Sequence, residues 1–115
     1  MSIILSTTLD MLSLQDRYTL SQALQIQDCA YGEWVALAEE KLLLMRELEK
    51  ETHGVAGEST AFWIERARIA GVGSQGSIPT LSQRLQTWRA ECSARLRQSD
   101  IGRRLLDSDW QITLF

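Results

Sequence analysis

Histidine occurs once in this chain, as His53, proline once, as Pro79, and cysteine twice, as Cys29 and Cys92. Each scarcity excludes something. A lone histidine with no cysteine or second histidine near it does not make a zinc site. Two cysteines without close spacing give neither a metal nor a redox motif, so both read as buried thiols in a reducing compartment. With proline only at position 79, long segments are free to be helical. No run approaches the 18 apolar residues that a membrane span requires. The opening Met1-Ser2-Ile3-Ile4-Leu5 lacks the basic flank of a signal peptide, and Asp10 soon interrupts it. These absences predict a cytoplasmic protein with no membrane span, no metal and no cofactor.

Catalytic groups are equally sparse. His53 lies in a glycine-containing linker rather than a rigid pocket. Glu39 and Glu40, and then Glu47, Glu49 and Glu51, are carboxylates on helix surfaces. Nothing apolar separates their protonation, so they solvate a face rather than form an acid–base pair. The glycine-rich run Gly71-Val72-Gly73-Ser74-Gln75-Gly76-Ser77 lacks the lysine and the Ser/Thr ending of a phosphate-binding loop. Nothing here supports an enzyme.

What the chain has is leucine at helical spacing. Its 115 residues are 44% hydrophobic and 23% charged, the composition of one globular domain. Leu5, Leu9 and Leu12, then Leu20, Leu24 and Tyr31, mark a long amphipathic helix with soft spots. Gly32 is its first credible interruption. From Trp34 the stripe resumes through Leu37, Leu44 and Leu48 and ends before Gly54. Ser59 then caps a short helix through Phe62, Trp63, Ala67 and Ala70, with Glu65 and Arg68 paired on its surface. The glycine-rich stretch at about 71–79 is expected as a flexible loop. Thr80-Leu81-Ser82-Gln83 fits a capping box, with Pro79 outside the helix. Leu81, Leu85, Trp88, Cys92 and Leu96 then form a coiled-coil-like seam. The seam residues Leu85, Trp88 and Cys92 are expected to face Leu37, Leu44 and Leu48. The expected fold is all-α: one domain over 1–115, an antiparallel hairpin or bundle of three to four helices.

Charge is split along the chain. Residues 1–51 carry nine acids and four bases; residues 84–115 carry six arginines and four acids. Opposite ends therefore attract each other or face different partners. The arginines of 84–104 raise a nucleic-acid reading, but they wrap round the helix and are diluted by Asp100, Asp107 and Asp109. A protein partner is the better expectation.

The residues expected to meet that partner are Trp63, Leu105, Leu106, Trp110, Ile112, Leu114 and Phe115. Tryptophans near segment ends suit binding anchors. The last eleven residues contain six large apolar ones. Such a tail packs on its own body, pairs two copies into a homodimer, or is covered by a partner.

Two segments resemble flagellar export chaperones of the FlgN/FliT type. The first runs Tyr31-Gly32-Glu33-Trp34-Val35-Ala36-Leu37-Ala38-Glu39-Glu40-Lys41-Leu42 and on to Leu48. It is similar to that group's second helix, where a small or acidic break precedes an aromatic, a Leu-x-x-Glu-Lys-like stretch and a leucine-rich end. The second runs from Leu85-x-x-Trp88 to Ser99-Asp100-Ile101-Gly102-Arg103-Arg104-Leu105-Leu106. It is similar to the late helix, although Ser99 and Asp100 stand where that group has asparagine. The resemblance covers about half the chain. It implies a cytoplasmic type III secretion chaperone that holds a helical substrate segment for export. A helical regulator or adaptor of phage or plasmid origin is the alternative, binding nucleic acid through residues 84–104.

Overall fold

The computed structural model describes residues 2–27, 29–50 and 58–111. Six helices account for most of them: α1 (Leu5–Asp10), α2 (Leu14–Leu24), α3 (Tyr31–Lys50), α4 (Thr60–Ala70), α5 (Ile78–Leu96) and α6 (Asp100–Asp107). The fold is helical, as the leucine spacing predicts. It is cut into more pieces than three or four, because local chemistry ends helices that periodicity alone would extend.

Ser13 makes the first cut. Its hydroxyl accepts the Asp16 N–H at 3.1 Å, so α2 starts afresh rather than continuing α1. The second cut is at Gln25, which takes the left-handed conformation (φ 60°, ψ 42°) and lets Gln25 and Ile26 N–H both reach the Ser21 carbonyl. Gly32 interrupts nothing. It lies in the first turn of α3, and the break falls before it, at 25–30. Cys29 sits in that break, half-exposed, while Cys92 is buried in α5; neither is in a disulfide.

The described residues group into two compact units, one within 1–39 and 92–115, the other within 40–91. The first unit buries Leu5, Leu9, Leu20, Leu24, Trp34, Leu96, Ile101 and Leu105. It also contains an element the helical spacing does not reveal. A strand β1 (Ser2–Ile4) pairs in parallel with β2 (Asp109–Gln111), placing Ile3 opposite Trp110. The backbone of the apolar tail is therefore docked on its own chain through residue 111. Within the same unit, Leu96 ends α5 and Ser99 caps α6, accepting the Gly102 N–H at 3.1 Å.

The second unit buries Leu42, Leu44, Met45, Leu48, Trp63, Leu81, Leu85 and Trp88, and with them Lys41 and Arg66. Of the residues expected along the seam here, Leu44, Leu48, Leu85 and Trp88 are in the core. Gln86 Nε2 ties α5 to the Leu48 carbonyl of α3 at 2.9 Å. Leu37, in the first unit, is only half-buried.

Capping in the second unit follows the sequence at one helix and departs from it at another. Ser59 caps α4 through the Phe62 N–H at 3.3 Å, and Gly71 closes it at φ 76°. At α5 the cap is Ser77, three residues earlier than Thr80. Its Oγ lies 3.0 Å from Thr80 Oγ1 and accepts the Thr80 N–H at 3.4 Å. Pro79 thus lies inside the first helical turn, where an N–H has no intrahelical acceptor anyway. The glycine-rich loop is also tied down, since the Arg84 guanidinium donates to the Gly73 and Gln75 carbonyls.

Candidate functional site

The expected partner-binding residues fall in different places. Trp63 and Leu105, at 0% and 1% exposure, are core residues and offer nothing to a partner in this conformation. The reason is helical phase: Trp63 shares the inward face of α4 with Ala67 and Ala70, and Leu105 that of α6 with Ile101. Leu106 is half-buried. Trp110 lies in β2, where its backbone pairs with Ile3. Ile112, Leu114 and Phe115 lie outside the described residues, as does His53.

The apolar surface is elsewhere. Met11, Leu14, Tyr18 and Tyr31 are exposed large hydrophobic residues, and all four belong to the first unit. Met11 and Leu14 are 79% and 81% exposed, more than such side chains tolerate without a cost. Leu14 and Tyr18 are one turn apart on α2, hence neighbours on one face. Ser13 sets this phase. By starting α2 at Leu14 it turns Leu20 and Leu24 inward and leaves Leu14 and Tyr18 outward.

Polar contacts join the elements that carry this stripe. The Tyr31 phenol donates to the Asp10 carbonyl at 2.7 Å. Trp34 Nε1 donates to Ser21 Oγ at 2.7 Å, and Ser21 Oγ donates in turn to the Arg17 carbonyl at 2.9 Å. The Arg17 guanidinium stands 4.6 Å from the Tyr31 ring centre and 5.5 Å from that of Trp34. Hydrogen bonding to Asp10 holds the Tyr31 phenol above its ordinary pKa, with the Arg17 charge acting the other way. The phenol therefore stays a neutral donor.

Tyr18 is also one wall of a groove of about 1070 Å³ that runs along the end of α2 and the end of α5. Buried Ala23 and Ile26 are among its lining residues, and glutamine, serine and threonine side chains with Arg95 make up most of the rest. An apolar ridge thus runs beside a trough of mixed polar and apolar lining. The sequence signal for the ridge was available in the spacing of Met11, Leu14 and Tyr18. It competes with Leu5, Leu9, Leu20 and Leu24, which fit the same three-to-four rule and are buried.

The arginines of 84–104 do not form one basic stripe. Arg84 is spent on the glycine-rich loop, and Arg89 donates to Gln86 at 2.9 Å. Arg103 pairs with Asp100 and donates to the Arg97 carbonyl. Among the described residues no group of three or more His, Cys, Asp or Glu side chains is placed to hold a metal ion. Among them, too, no helix is long and apolar enough to cross a membrane.

No known protein family, curated protein or solved structure matches this chain.

Proposed function

We propose that this protein is a non-catalytic binding module that takes a helical segment of another protein onto the α1–α2 surface. The observation that carries the reading is the exposure of Leu14 and Tyr18 on one face of α2, with Met11 and Tyr31 exposed in the same unit. A helix laid along such a ridge covers the apolar side chains at its own three-to-four spacing. Each large apolar side chain so covered contributes about 1.5–3 kcal/mol before the cost of ordering.

Among helical partners, an export substrate held for a type III secretion gate is the one the FlgN/FliT resemblance implies. The finer architecture of that group, a helical hairpin presenting a groove, belongs to the same proposal. Its support is the resemblance of 31–48, which forms most of α3, and of 85–106, which covers the later part of α5 and most of α6. The test is light scattering from an aggregation-prone helical segment of a type III export substrate. The chain should suppress scattering at equimolar ratio, and the Leu14→Ser/Tyr18→Ser variant should not. Scattering that is the same with and without the chain rejects the chaperone role.

A further inference from the structure

We infer that the groove at the end of α2 seats an acidic stretch of the protein partner, with Arg95 pairing its carboxylate. The inference rests on the protein-binding reading and names the partner's chemistry.

Three observations support it. The first is the lining. Gln22, Gln25, Gln27 and Gln98 line the groove, Arg95 enters it from α5, and among the described residues no carboxylate lines it. A glutamine amide carries the donors and acceptor of a peptide group, so four of them can satisfy an extended main chain. Arg95 supplies the single positive charge and a fork that fits a carboxylate in two hydrogen bonds. Unlike Arg17, Arg84 and Arg103, its guanidinium makes no hydrogen bond, ion pair or ring contact among the described residues.

The second is the backbone at Gln25. Two helices of this chain end in the same way. At α4, Gly71 and Val72 N–H reach the Ala67 carbonyl, with Gly71 left-handed. At α2, Gln25 and Ile26 N–H reach the Ser21 carbonyl, with Gln25 left-handed. Glycine takes this conformation without steric cost and glutamine does not. Gln25 is the one non-glycine residue at positive φ among the described residues, and its side chain lines the groove. Conformational strain retained at a lining position is expected where the side chain has a use.

The third is continuity. Tyr18 belongs both to the apolar ridge and to the groove. A partner segment that covers Leu14 and Tyr18 with apolar residues therefore runs on into the groove, and its acidic residue falls at Arg95. Nucleic acid fits this site less well. Phosphate tracking needs several cations along one path, and the lining has one among the described residues.

The test selects short random peptides displayed on phage against the full chain, then measures affinity by fluorescence anisotropy with the enriched peptides. Enriched peptides should carry Asp or Glu at a fixed spacing from two large apolar residues. Arg95→Glu should weaken them about tenfold by replacing attraction with repulsion, and selection on that variant should enrich Lys or Arg at the same spacing. Arg95 is exposed, so the variant should melt with the wild type. Leu14→Ser should weaken binding in either background. Peptides that depend on Leu14 and ignore Arg95 would overturn the inference and leave the binding module standing. If nothing is enriched over background, both fall. Tighter binding of a mixed-sequence single-stranded oligonucleotide, abolished by Arg95→Glu, would overturn it in favour of nucleic acid.

Discussion

The carbonyl oxygen of Leu96 fills the space where a side chain on Gly102 would begin. An added Cβ would overlap that carbonyl and its carbon, which are backbone atoms and cannot swing aside. This close approach lets α5 end and α6 begin within three residues, with Ile101 and Leu105 delivered to the core. Gly102→Ala should therefore cost about 3 kcal/mol, as overpacking against rigid atoms does. Gly32→Ala is the control, because nothing lies within 4 Å of its added Cβ. Near a helix start it should be neutral or stabilising by up to about 1 kcal/mol. Urea unfolding of the two variants checks the contrast, and equal midpoints would remove the constraint at position 102.

Trp63 and Trp88 are buried with indole N–H groups that have no acceptor among the described residues. Trp63 lies edge-on to Phe62, and the Arg66 guanidinium, paired with Glu47 at 3.2 Å, stands 5.1 Å from its ring. Trp63→Ala should cost about 3–5 kcal/mol and Trp88→Ala a similar amount. Trp63→Phe should cost distinctly less, because it removes the unmet donor along with part of the area. Thermal unfolding that ranks Phe no better than Ala would show that the indole N–H has a partner.

Gln25→Gly separates stability from binding. Relief of the left-handed strain, less the greater freedom of glycine in the unfolded chain, should leave the variant about 0.5–1 kcal/mol more stable. Its affinity for a captured segment should fall. A variant that is stabilised and binds as well as the wild type would make Gln25 a tolerated accident.

The Glu65–Arg68 pair gives a pH signature. Its hydrogen bond to Arg68 holds the Glu65 carboxyl below its ordinary pKa. A group whose folded pKa is depressed adds stability above the unfolded pKa and loses it as pH falls through the folded one. Glu65→Gln should thus melt slightly below the wild type at neutral pH. The gap should close once the pH drops below the carboxylate range. A difference in melting temperature that persists in acid would assign the loss to packing.

Much of this fold was legible in the leucines, and the exceptions have local causes. Ser59, Gly71 and the Glu65–Arg68 pair could be read directly, because each acts through neighbours in sequence. Ser77 was missed because Thr80 and Gln83 also form a capping pattern, and a proline is compatible with either start. The β1–β2 ladder joins residues more than a hundred positions apart, and three-residue strands leave no period to detect. Trp63 and Leu105 are core residues for a related reason. Aromatic content pointed to Trp63, whereas exposure depends on helical phase, which Ser13 fixes for α2 and which no count of apolar residues reveals.

The most direct test is a footprint of the bound partner segment by hydrogen–deuterium exchange and side-chain NMR shifts. With a selected segment bound, α2 amides should gain protection. Shifts should concentrate at Met11, Leu14, Tyr18, Tyr31 and the glutamine amides of the groove, while those of Ile64 on α4 stay fixed. Shifts centred on Ile64 or on the outer face of α6, with Met11, Leu14 and Tyr18 unmoved, would contradict the account.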